Sequence, residues 1–93
     1  MFTPKNEMTE NRATWWIYIV CCADDSLYTG ITTDLERRIA EHNDSKKGAK
    51  YTRSKRPVKL VFSENHPDRS SASKREYLIK KMSRSNKLKL IQS

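Results

Sequence analysis

The stretch WWIYIVCC, residues 15–22, is the feature that most narrows the folds open to this chain. Aromatic and β-branched residues fill it, which is the composition of a buried strand. Ala23-Asp24-Asp25-Ser26 then supplies turn chemistry, and Leu27 to Ile31 reads as a second strand. Residues 15–31 are therefore expected to form a β-hairpin. Pairing about its centre would set Tyr18 and Tyr28 opposite one another on one face.

A helix is expected next. Thr33 followed by Glu36 matches a capping box, with the helix running to about Asn43. At 100° per residue, Leu35, Ile39 and His42 share one side and Arg38 lies beside them, whereas Arg37 and Glu41 fall on the far side. The two arginines are thus not equivalent: Arg38 should be held against the body of the protein and Arg37 should face water. Residues 44–57 read as a basic loop closed by Pro57. Val58 to Ser63 reads as a third strand, with Val58, Leu60 and Phe62 alternating on one face. His66-Pro67-Asp68 breaks the chain, a helix spans about Ser70 to Ser83, and Lys87 to Ile91 is a short tail of either type. The order β-β-α-β-α predicts an α+β fold, a small three-stranded antiparallel sheet flanked by helices. Residues 1–13 are polar and aperiodic, expected as a disordered tail ahead of one domain over 14–93. Trp15 and Trp16 are assigned to the core.

Ninety-three residues bury only a thin core, so each polar group drawn into it is costly and informative. Cys21 and Cys22 are adjacent and point to opposite faces of a strand, which excludes a disulfide framework or a metal clamp. Reduced thiols, no segment of transmembrane length and no signal-peptide pattern together predict a cytoplasmic protein away from membranes. The formal charge of +8 is uneven: residues 1–34 carry −3 (two basic, five acidic), residues 35–60 carry +6 (nine and three) and residues 61–93 carry +5 (eight and three). A basic excess of that kind suits a polyanion. Lys46, Lys47, Lys50, Arg53, Lys55 and Arg56 form either a nucleic-acid surface or a solvated loop. Tyr51 among them would stack on a base or anchor the loop.

One residue of the second helix breaks its pattern. Ala72, Glu76 and Ile79 follow i, i+4, i+7 spacing, so Glu76 lies on or beside the apolar stripe. A carboxylate there either holds a metal ion or pairs with Lys80 one turn on. Two hairpin tyrosines, a held arginine, a histidine one turn later and an inward-leaning glutamate are the parts that phosphodiester hydrolysis requires. A hard cation takes oxygen ligands, an arginine offsets charge on phosphate oxygens, and a tyrosine or histidine can activate water.

These residues resemble those of the GIY-YIG nuclease superfamily, in particular its small stand-alone bacterial members. The resemblance covers about residues 15–92. Its named motifs stand as Trp16-Ile17-Tyr18 and Tyr28-Thr29-Gly30, followed ten residues on by Arg38, the run Arg38-Ile39-Ala40-Glu41-His42 and a later helical Glu76. It implies that Tyr18 and Tyr28 are the motif tyrosines, Arg38 the catalytic arginine, and Glu76 the sole carboxylate ligand of a divalent metal, Mg²⁺ or Mn²⁺. It further implies that His42 assists proton transfer, that Gly30 lets substrate approach the strand, and that Asn86 lies near the phosphate. Lys50, Arg53, Lys55 and Arg56 complete the expected substrate surface. The activity implied is endonucleolytic cleavage of DNA, branched or single-stranded, in repair or recombination, with structure selectivity or weak specificity. The alternative is a catalytically idle module that binds nucleic acid through the same basic surface.

Two positions depart from the family pattern. Trp16 replaces the first motif glycine, and Ile31 stands where some repair members carry a lysine thought to help ionise a tyrosine. A free tyrosine has a pKa of about 10, so only about one in a thousand is ionised at neutral pH. Here that help must come from the metal, from Arg38 or from another nearby base.

Overall fold

The structure is a computed structural model that describes residues 14–44 and 47–92. The tail expected over residues 1–13 lies outside the described residues, as does Lys46. Three strands, β1 (Trp15–Cys21), β2 (Leu27–Thr32) and β3 (Lys59–His66), form one antiparallel sheet in the order β2-β1-β3. The fold is α+β, as the sequence predicts. β1 is the central strand because Ile17, Tyr18, Ile19 and Val20 form an unbroken buried run, which only a strand covered on both faces accommodates.

Helices cover both faces. On one side α1 (Leu35–Asp44) lays Leu35 and Ile39 over Tyr18, Val20, Cys22 and Val58, with Tyr28 at the margin. On the other, Ile79 of α3 (Arg69–Lys80), Met82 of the following turn, and Leu90 and Ile91 of α4 (Arg84–Gln92) pack against Ile17 and Ile19. A four-residue helix, α2 (Lys50–Arg53), interrupts the basic segment expected as loop. No helix among the described residues is long and apolar enough to cross a membrane.

Several local expectations are corrected. Asp34 rather than Thr33 starts α1: its carboxylate accepts the Arg37 amide at 3.1 Å, and Thr32 Oγ1 accepts the Asp34 amide at 3.1 Å. The cap is shifted one residue along the chain, so the orphan amide it satisfies is that of Arg37. Asp68 plays that part for α3, accepting the Ser71 amide at 2.8 Å. The third strand runs on to His66, and its alternation is broken. Ile19 pairs with Phe62 but Val20 pairs with Leu60, leaving Val61 as the extra residue of a bulge. Leu60 and Phe62 therefore serve opposite layers. The C-terminal tail is helical, α4, with Ser83 Oγ accepting the Asn86 amide at 3.1 Å. Trp15 and Trp16 are half-buried rather than core residues, and Trp15 lies beneath Arg69, 5.7 Å from ring centre to guanidinium carbon. The aromatic side chain of the core is Tyr18.

Candidate active site

The hairpin turn sets the register that builds the site. The Cys22 amide bonds Ser26 O at 2.8 Å, Asp24 Oδ1 accepts from the Ser26 amide at 3.0 Å, and Asp25 adopts φ 69°, a left-handed conformation that aspartate tolerates. Tyr18 consequently faces Gly30, and Tyr28 faces Val20. The two tyrosines share a face but lie diagonally, not directly opposite. Tyr18 is 1% exposed, and its ring occupies the space over Gly30: a Cβ there would stand 2.5 Å from the phenolic oxygen and 2.8 Å from Cζ. The missing side chain thus gives the Tyr18 phenol its seat, a use of Gly30 that the sequence reading did not foresee. Gly30→Ala should cost about 1–3 kcal/mol through overpacking, read as a lower urea midpoint at unchanged slope.

The phenol ends against α1. Tyr18 Oη lies 2.8 Å from His42 Nε2, and His42 Nδ1 lies 2.8 Å from Thr52 Oγ1 on α2. His42 and Thr52 are fully buried. Burial, helped by the Arg38 charge, pulls the His42 pKa down to about 4, so the imidazole is neutral at physiological pH. Burial pushes the Tyr18 phenol up to about 12, against the pull of Arg38. The resting pair is therefore a protonated phenol bonded to a neutral imidazole. Both tyrosine rings meet His42 edge-on, at centroid distances of 5.8 Å for Tyr18 and 5.4 Å for Tyr28.

The histidine also governs acid stability. Its folded pKa lies below the ordinary histidine value, so as pH falls the unfolded chain takes the proton first. The stabilisation is complete above about pH 6.5 and is lost progressively towards pH 4, on the order of 3 kcal/mol in all. Urea unfolding of the protein and of His42→Gln between pH 7.5 and 4.5 should show the difference in stability between them shrinking over that window. A constant difference would mean that His42 titrates normally.

Arg38 and Arg37 divide as expected, with side chains 25% and 61% exposed. Arg38 Nη1 donates to Glu41 Oε1 at 2.9 Å and to Lys47 O at 2.8 Å, and its charge acts on the Tyr18 phenol. Burial alone would lower its pKa, but Glu41 and Tyr18 outweigh it and hold the guanidinium raised. Glu41, expected on the far side, is the carboxylate that orients Arg38. The pairing is possible because the two residues are i,i+3 neighbours on the helix surface, about 60° apart.

The basic segment separates into two kinds of residue. Lys50 and Arg53 are exposed on α2. Arg56 turns inward: Nε donates to His42 O and Nη2 to Glu41 O at 3.3 Å, so it caps the end of α1. Lys55 Nζ pairs with Asp24 Oδ2 at 2.9 Å and covers the Tyr51 ring at 4.7 Å. Tyr51 stacks on Tyr28 at 5.8 Å and 25°. Held by Tyr28 and by Lys55, Tyr51 anchors the segment.

Glu76 comes from the helix on the opposite face of the sheet. It is 23% exposed, pairs with Lys80 at 3.2 Å, and its negative charge contributes to the raised pKa of Tyr18. No three His, Cys, Asp or Glu side chains among the described residues converge to hold a metal ion by themselves. One half-buried carboxylate, completed by water and phosphate oxygens, fits a hard cation such as Mg²⁺ and does not fit an all-protein cage. Asn86 is exposed in the first turn of α4. Thr52 escaped the sequence reading because, between Tyr51 and Arg53, it carries no periodic signal.

Comparison with known proteins places this architecture. A family model described as the GIY-YIG catalytic domain matches residues 14–89, and the chain belongs to that family. Its relatives are UPF0213 proteins, small single-domain members. UPF0213 protein DP2720 of Desulfotalea psychrophila is 59% identical over 83 residues, covering 89% of this chain and 76% of that protein. UPF0213 protein SH2523 of Staphylococcus haemolyticus is 56% identical, covering 83% and 93%. Among solved structures, the solution structure of UPF0213 protein BH0048 from Bacillus halodurans aligns with a TM-score of 0.56 at 44% identity, over 85% of this chain and 83% of that one. That of protein EF2693 from E. faecalis gives 0.61 at 40%, over 89% and 88%. Membership implies nuclease activity on DNA, and nucleases of this family generally depend on a divalent metal.

Proposed function

We propose that the chain is a metal-dependent endonuclease that hydrolyses DNA phosphodiesters, with structure selectivity or weak sequence specificity, and serves DNA repair or recombination in the cytoplasm. The observation that carries the reading is the buried phenol of Tyr18, set on Gly30, bonded to neutral His42 and flanked by Arg38. A merely structural tyrosine has no use for a half-buried arginine and an uncharged base together.

In this reading Tyr18 is the proton acceptor. Its oxygen takes a proton from the attacking water as its own proton passes to His42 Nε2, a relay that avoids the buried phenolate at the cost of a transient buried imidazolium. His42 is the base that stands in for the absent lysine at position 31. Arg38 offsets the charge that grows on the phosphate oxygens. Tyr28, braced between His42 and Tyr51, holds the imidazole edge in place. Glu76 would hold the divalent ion, which supplies Lewis-acid polarisation of the phosphate and of water. The exposed Lys50 and Arg53 suit phosphate contact, and Asn86 extends that surface from α4. Arg56 and Lys55 act on the substrate indirectly, through α1 and Tyr51.

The test uses supercoiled plasmid with branched and single-stranded oligonucleotides, in Mg²⁺ or chelator and over a salt series. Metal-dependent cleavage that weakens with salt supports the reading. Salt-sensitive binding with no cleavage under any condition returns the idle binding module.

A further inference from the structure

The hydrogen bonds around His42 run in one direction. Thr52 Oγ1 carries one proton and lies 3.0 Å from Ala49 O, which only accepts. It lies 2.8 Å from His42 Nδ1 as well. If the hydroxyl gives its proton to Ala49, its lone pair receives Nδ1–H, and Nε2 is left bare to accept from Tyr18. The reverse direction would have Nε2–H donate to Tyr18. The buried phenol would then face two donors, the imidazole and Arg38, and its own proton would lose the acceptor that His42 provides. The first arrangement uses every proton and ends on a backbone carbonyl.

The segment that carries Thr52 is fixed accordingly. Lys55 O accepts the Ala23 amide at 2.9 Å, Lys55 Nζ pairs with Asp24, and Tyr51 stacks on Tyr28, so α2 is tied to the hairpin turn and to the site. Gly48 lets the chain pass close to α1: a Cβ there would stand 2.7 Å from Glu41 O and 2.9 Å from His42 Cα.

We propose that Thr52, with the Ala49 carbonyl behind it, is a positioning residue that locks His42 in the Nδ1–H tautomer and so keeps Nε2 free to take the Tyr18 proton. The inference rests on the nuclease reading for its purpose, but the tautomer itself needs no substrate to be seen. Nitrogen-15 NMR of the labelled imidazole at neutral pH should show the proton on Nδ1 and an unprotonated Nε2. Thr52→Ser, which keeps the hydroxyl, should preserve that pattern. Thr52→Val, which keeps the branched shape, should move the proton to Nε2 or mix the tautomers. In the cleavage assay, Val should lower kcat by about 10²-fold with KM within about twofold, and Ser should restore most of the rate. A wild-type protein with the proton on Nε2, or a folded Val variant with an unchanged Nδ1–H signal, overturns the proposal. Should Val fail to fold, the wild-type and Ser spectra decide the tautomer and the Ser rate decides the role: a Ser rate near that of the wild type supports it, and a 10²-fold loss overturns it. A wild-type protein that shows Nδ1–H yet cleaves nothing overturns the nuclease reading instead, and the spectrum tells that failure apart.

Discussion

Glu76→Ala should lower metal-dependent DNA cleavage by about 10³-fold or more, since several kcal/mol of charge stabilisation leaves with the metal ligand. The same change should hardly touch folding. Glu76 is part-exposed and its pairing with Lys80 is an i,i+4 ion pair on a helix surface, worth only about 0.3–0.5 kcal/mol. Alanine is also the better helix former at that position, which offsets part of that loss. The two effects therefore separate cleanly: urea midpoints within error of each other, and rates three decades apart. If Glu76 exists only to pair with Lys80, the rate will stay within a fewfold of the parent's, and Lys80→Ala will do as much as Glu76→Ala.

Tyr18→Phe should remove about 10²–10⁴-fold of the cleavage rate, the span expected for a lost proton acceptor. Here stability changes too, and its sign follows from the contact removed. The substitution leaves His42 Nε2 buried without its donor, which costs about 1–3 kcal/mol. Tyr28→Phe offers the control. Its ring contacts with His42 and Tyr51 survive the loss of the hydroxyl, so stability should be nearly unchanged and the rate should fall less than with Tyr18→Phe. An equal or larger loss at Tyr28 would transfer the role of base to that residue.

How far these arguments could be made from sequence differs from residue to residue. The hairpin was legible because eight apolar residues followed by Ala-Asp-Asp-Ser leave few other structures. Arg38 was separable from Arg37 because helical periodicity is an angular rule that needs no partner. Three things were not legible, each because its cause lies across the fold. The bulge at Val61 depends on the strand opposite it and overrides an alternation that reads cleanly along one strand. Arg56 reads as one cation of a basic surface or solvated loop, yet the open end of α1 draws it inward to bare carbonyls. Thr52 is one polar residue in a basic run, and only the meeting of α1 with α2 gives its hydroxyl a histidine. Gly30 was singled out on its strand, but its contact with Tyr18 was not legible, because the diagonal register of the hairpin sets Tyr18 above it. Much of what the sequence left dark is thus second-layer support: residues that hold the candidate catalytic groups without touching a phosphate.

The most direct measurement of the central claim is single-turnover nicking of supercoiled plasmid by the purified protein, in Mg²⁺ and in chelator, beside Glu76→Ala and Tyr18→Phe prepared identically. The predicted result is nicking that requires Mg²⁺ and is lost, to the extents given above, in both variants while both remain folded. Nicking that survives chelation or persists unchanged in either variant would contradict the account, as would its complete absence from the wild-type protein.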